Sequence, residues 1–224
     1  MDAVQGISSS FAQLVERASA LASGGGRALL GITGAPGAGK STLAERLVAE
    51  LGEQVAVFVP MDGFHLANRE LVLLDRLDRK GAEDTFDGWG YASLLTRLRE
   101  QPARVERGEE GIVYAPQFRR DLEEPVGSAI PVRPEVPLVV TEGNYLLVDG
   151  AAWQHARETL DEVWFLAPDE QQRIAQLVAR HERFGRSHEE AVERSLGSDQ
   201  RNAELIAATA GRADLIVTLT DRLP

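Results

Sequence analysis

Residues 34–41 read Gly-Ala-Pro-Gly-Ala-Gly-Lys-Ser, a complete G-x-x-x-x-G-K-[ST] phosphate loop. Gly34, Gly37 and Gly39 let the backbone curl so that successive N–H groups face one anion. Ala35, Pro36 and Ala38 complete that cradle. Lys40 can reach the outer phosphates of a nucleotide, and the Ser41 hydroxyl can ligate Mg²⁺, with Thr42 beside it. A glycine-rich turn arising by chance would need neither a strand before it nor a helix after it. Here Ala28–Thr33 is apolar, and Leu43, Leu47, Val48 and Leu51 follow at helical spacing. The N-terminus of that helix adds its positive dipole end. The motif does not decide whether the terminal phosphate passes to water or to another molecule.

Two carboxylates stand where they can act on a bound phosphate. Asp62 follows the apolar run Val55–Val59, and Glu142 ends the run Leu138–Thr141. In open α/β sheets ligands bind beyond the carboxyl ends of strands, and both residues occupy such ends. Asp62 can accept a proton from an attacking hydroxyl, or it can simply form the turn before Gly63. Glu142 suits Mg²⁺ or its water shell, or caps a helix beginning near residue 150. His65, one turn past Asp62, is a substrate contact or a structural hydrogen-bonder. Arg79 and Lys80 form either a clamp for an anionic or polar substrate or a solvated charge cluster. Tyr114 and Arg119 stand in an irregular stretch, and Tyr114 packs or binds. Arg180, Arg183 and Arg186 flank Gly185 in Arg-His-Glu-Arg-Phe-Gly-Arg-Ser. That composition fits a mobile lid whose arginines offset transition-state charge, or a basic helix end that offsets the macrodipole.

These positions need a scaffold of alternating strands and helices. Five buried strands are expected: the run into the phosphate loop, 55–59, 137–142, 163–166 and 215–219. Helices are expected over 8–22, 66–76, 91–100, 169–183 and 188–209. The alternation predicts an α/β three-layer sandwich, a central parallel five-stranded sheet with helices on both faces and a helical lid near 180–190. Residues 101–135 are the least regular, with a short strand at 111–114. A long irregular segment inside a compact domain is usually a functional loop. No linker divides the chain, so a single domain over 1–224 is expected, with an acceptor-binding insertion near 78–135.

Composition narrows the classes. A net charge of −11 argues against non-specific binding to nucleic acid or an anionic membrane. The absence of cysteine removes disulfides and thiolate metal sites and suits a reducing compartment. No apolar run approaches the roughly 18 residues of a membrane span. Met1-Asp2-Ala3-Val4-Gln5 lacks the basic start of a signal peptide. A cytoplasmic location is expected. A monomer and a homodimer both stay open.

The motifs together resemble the phosphoribulokinase, uridine kinase and pantothenate kinase superfamily of P-loop kinases. The matching pieces are Gly34–Ser41, Met61-Asp62-Gly63-Phe64, Arg79-Lys80-Gly81, Thr141-Glu142-Gly143-Asn144-Tyr145 and the arginine-rich segment 180–186. The chain looks most like bacterial nucleoside/nucleotide kinase-like proteins, labelled fructose-transport-system kinases. There a Tyr-Ala-Pro-x-Phe-x-Arg stretch accompanies the other motifs; here it runs from Tyr114 to Arg120. The resemblance spans roughly residues 25–220.

The resemblance implies ATP as donor, Mg²⁺, and a small-molecule acceptor. It makes Asp62 the base and gives phosphates and metal to Lys40, Ser41 and Glu142. It has Arg183 or Arg186 close over them, places Arg180 and Asn202 near the nucleotide, and puts Asn144 near the substrate. The acceptor does not carry over, because 78–124 departs from each well-known member. The expectation is an ATP-dependent kinase acting on a hydroxyl of a nucleoside, sugar or pantothenate-like metabolite. The rivals are a nucleotide-dependent switch, for which no guanine-reading Asn-Lys-x-Asp segment is present, and a catalytically silent nucleotide-binding regulator.

Overall fold

A computed structural model describes residues 6–109 and 111–220. Six parallel strands form its main sheet: β1 (Gly6–Ser9), β2 (Ala28–Thr33), β3 (Ala56–Phe58), β6 (Leu138–Glu142), β7 (Glu162–Leu166) and β8 (Leu215–Leu219), in the order β1-β8-β7-β2-β6-β3. The expected five strands are therefore corrected to six. The added strand is β1, whose four residues are too short and polar to register as a buried run. Ser10 explains the break. Its side chain accepts from Gln13 N–H in a capping box, so α1 (Phe11–Ala22) starts there. Residues before the cap are left to pair with β8.

Alternate side chains of the central strands point to opposite layers. Leu30, Ile32, Val140 and Trp164 pack with Leu14 of α1 and Leu43 and Leu47 of α2 (Lys40–Leu51). Leu29, Val139, Val163 and Phe165 pack with Leu95 of α4 (Gly88–Glu106) and Trp153 of α5 (Ala151–Thr159). β2 is buried along its whole length, as a central parallel strand covered on both faces must be. Between β3 and α4 lies α3 (Asn68–Leu73). Helices α6 (Glu170–Arg183), α7 (His188–Leu196) and α8 (Ser198–Ala207) lie between β7 and β8. No described helix is long and apolar enough to cross a membrane.

The segment 101–135 is more regular than its composition predicts. Helix α4 runs on through Pro102 to Glu106, and a separate antiparallel hairpin follows: β4 (Val113–Arg119) and β5 (Glu124–Val132). Its register shifts between Ala115 and Gln117, which leaves Pro116 where a missing N–H costs no ladder bond. The carbonyl of Pro116 lies against Gly63, and a Cβ on Gly63 would collide with it. The hairpin is thereby seated on the 3₁₀ turn Met61–Phe64 that carries Asp62.

Candidate active site

Three strand ends converge on one cleft of about 620 Å³. The first is the phosphate loop between β2 and α2. Gly37 and Gly39 have φ of 82° and 90°, a region that L side chains rarely adopt. A Cβ at Gly37 would also come within 2.8 Å of the Arg173 carbonyl on α6. Lys40 folds back over the loop and donates from Nζ to the Ala35 carbonyl at 3.0 Å. It is only 7% exposed, and burial lowers its pKa against the pull of Glu142. Gly34, Ala35, Pro36 and Ala38 follow the same cradle, whereas Thr42 lies exposed on the first turn of α2.

The second end is β6. Glu142 is 4% exposed. Burial raises its pKa, nearby Asp62 adds to the rise, and Lys40, Arg180 and a Ser41 hydrogen bond oppose it. Beneath it, Thr141 Oγ1 donates to the Val59 carbonyl at 2.6 Å and meets the Tyr91 hydroxyl at 2.8 Å. This buried chain ties β6 to the exit of β3, so the Glu142 and Asp62 ends are fixed relative to each other. Asn144 also lines the cleft, and its carbonyl accepts from Thr33 Oγ1 at 3.2 Å.

The third end is the Asp62 turn. His65 Nδ1 lies 2.9 Å from the Asp62 carbonyl, and its ring is flanked by Phe86 and Phe118. Arg79 and Lys80 reach the same wall. Arg79 pairs with Asp84, while Lys80 donates to Asn68 and to the Glu123 carbonyl and lies over the Phe118 ring.

Opposite stand α6 and α8. Arg180, Arg186 and Asn202 line the cleft, and Arg183 does not. Arg180 and Arg186 make no side-chain hydrogen bond or ion pair with a described residue. Tyr114 is 51% exposed and faces away, and Arg119 pairs with Asp121 outside the cleft. Neither joins the expected binding set. The residue that does is Arg120, whose Nη2 stands 3.8 Å from Asp62 Oδ2. The signal was available: the Tyr-Ala-Pro-x-Phe-x-Arg pattern ends on Arg120, the first residue of the turn after β4, and not on Arg119. A second missed residue is Arg173, which is 2% exposed. It bonds the Pro36 carbonyl, Glu170 and Gln200, locking the root of α6 to the phosphate loop.

Fold and loop together define a P-loop kinase. Over residues 29–222 the sequence matches the phosphoribulokinase/uridine kinase family, and the chain belongs to it. A Schizosaccharomyces pombe protein named "putative uridine kinase C227.14" is 31% identical, over 93% of this chain and 90% of that one. The "ATP-dependent kinase-like protein notR'" of Aspergillus versicolor is 33% identical over 64% of this chain and 85% of its own. A crystal structure described as a "putative fructose transport system kinase" from Silicibacter sp. superposes with a TM-score of 0.80 at 37% identity, covering 93% of this chain and 98% of that one.

Proposed function

We propose that this chain transfers the γ-phosphate of ATP to a hydroxyl of a small metabolite. The observation that carries this reading is the meeting of Lys40, Ser41, Asp62 and Glu142 in one cleft, which Arg180 also lines. The loop from Gly34 to Thr42 cradles the triphosphate, and Asn202 lies on the nucleotide side. Asp62 takes the proton of the acceptor hydroxyl as its oxygen attacks the γ-phosphorus. The bond from that phosphorus to the bridging oxygen breaks, and ADP leaves with the electron pair. Lys40 stabilises the charge on the transferring group.

Ser41 and Glu142 offer hard oxygen donors that suit Mg²⁺. A buried Glu142 whose pKa is raised is a carboxylate that a cation would hold ionised. Among the described residues no cluster of three or more His, Cys, Asp or Glu forms a cage, as expected where a metal shares its ligands with phosphate oxygens. Mg²⁺ bound there would neutralise phosphate charge. The segment around Gly185 acts as the lid, with Arg180 and Arg186, rather than Arg183, turned to the phosphates, and its closure excludes water as a competing acceptor. His65, Arg79, Lys80 and Asn144 form the acceptor side, with Arg79 and Lys80 in an insertion near 78–135.

The test is ADP release from Mg·ATP across nucleosides, pantothenate, free sugars and sugar phosphates, with Asp62→Asn alongside. A compound that stimulates release in the wild type, with a loss of about 10²–10⁴-fold in the variant, is the expected result. Release that no compound stimulates, or that Asp62→Asn leaves intact, overturns the reading.

A further inference from the structure

The cleft holds more positive charge than a nucleotide on the phosphate loop accounts for. Eight lysines and arginines line it against four carboxylates, in a chain whose net charge is −11. Arg79 and Lys80 are partly answered by Asp84, Asn68 and the Glu123 carbonyl. Arg120 is placed differently. Its one close carboxylate among the described residues is Asp62, at 3.8 Å, and its guanidinium lies 5.5 Å from the centre of the Phe184 ring. It opens the turn that follows β4, and β4 is seated on the Asp62 turn through Gly63 and Pro116. The hairpin thus presents Arg120 to Asp62 by backbone contact. Arg120 lines the cleft together with Phe118 and Asp62, on the side where an acceptor giving its proton to Asp62 would lie.

At 3.8 Å the contact between Arg120 and Asp62 is beyond hydrogen-bond distance. An oxyanion in the same space is a better partner, because it can take two parallel N–H bonds. It would draw Arg120 from Asp62 and free that carboxylate for the hydroxyl. Resting on the kinase reading above, we propose that the acceptor carries an oxyanionic group, phosphate or carboxylate, and that Arg120 binds it. Arg120 thereby selects charged acceptors over neutral ones of the same skeleton.

The test separates binding from turnover. With the phosphate loop filled by Mg·AMP-PNP, inorganic phosphate is titrated and followed by ³¹P line broadening. Arg120→Ala is expected to weaken phosphate by about ten- to a hundredfold, Arg120→Lys less, and Arg119→Ala not at all. Turnover is then read on matched pairs: a sugar and its phosphate, a nucleoside and its monophosphate, an amide and its carboxylate. The charged members alone should stimulate ADP release, with KM raised in Arg120→Ala by a similar factor and kcat changed less. The absence of Arg120-dependent phosphate binding overturns the proposal. So does equal turnover of neutral and charged partners, which leaves the kinase reading standing. Arg120-dependent phosphate binding with no acceptor phosphorylated supports the anion site and sinks the kinase reading instead.

Discussion

The two ends of the sheet carry clefts of nearly equal size, about 620 Å³ at the carboxyl end and 600 Å³ at the amino end. Both are lined by arginines and carboxylates, yet they differ in how many of their guanidinium groups have close partners. At the amino end Arg17 is held by both oxygens of Glu162, and Arg99 by Asp161 and two carbonyls. Arg27 donates to Gln101 and to the carbonyls of Leu98, Arg133 and Pro134. The Leu98 carbonyl is free to accept because Pro102, four residues on, has no N–H to give. At the carboxyl end Arg180 and Arg186 have no such partners among the described residues, and Arg120 has there only a long contact with Asp62. Volume and charge type do not tell a binding cleft from a structural one. Whether the charges already have partners does.

That contrast can be broken by substitution. Lys40→Ala should have the largest effect. It should cost at least about a hundredfold in ADP release, since it removes the cation at the phosphate loop and leaves buried Glu142 without the positive charge that acts on it most strongly. The Arg120→Ala and Arg119→Ala pair comes next, with adjacent arginines expected to differ by tenfold or more in acceptor KM. Arg27→Met should leave kcat/KM unchanged. It orphans four buried or part-buried acceptors, so thermal denaturation should show a Tm lower by roughly 5–10 °C. A loss of turnover beyond what the lower stability explains would erase the distinction between the two ends.

The smallest effect belongs to His65. Burial lowers its pKa below 6.5 in the fold, so it stays neutral there while the unfolded chain binds a proton. Stability should therefore fall as pH drops through about 6.5 towards the folded value. A denaturant midpoint followed from pH 7.5 to 5 should decline less steeply in His65→Gln. An identical slope would mean that the ring is not desolvated as described.

Where one local signal sufficed, the sequence was legible. The phosphate loop, Asp62 and Glu142 each follow an apolar run, and a strand end is a place that periodicity alone can find. β1 was missed because its existence depends on an edge partner about 200 residues away. The hairpin was hidden by prolines and glycines that normally interrupt strands, and that β4 and β5 tolerate at a bulge and in a two-stranded sheet. Arg119 and Arg120 are neighbours of one type, separated by the end of β4: Arg119 is its last residue and Arg120 opens the turn. Arg183 and Arg186 likewise differ only in how the chain turns at Gly185.

The seating of the hairpin on Gly63 has an evolutionary consequence. One of its anchors is a backbone contact at the bulge, while its cleft-lining side chains, Phe118 and Arg120, lie beyond that anchor towards the tip. Residues 118–122, between that anchor and the contacts of Glu123 and Glu124 with Asn68 and Lys80, can therefore drift without disturbing the sheet or the phosphate loop. On the kinase reading proposed above, a scaffold of this kind can acquire new acceptors by changing a few residues between 118 and 122, while its donor chemistry stays fixed.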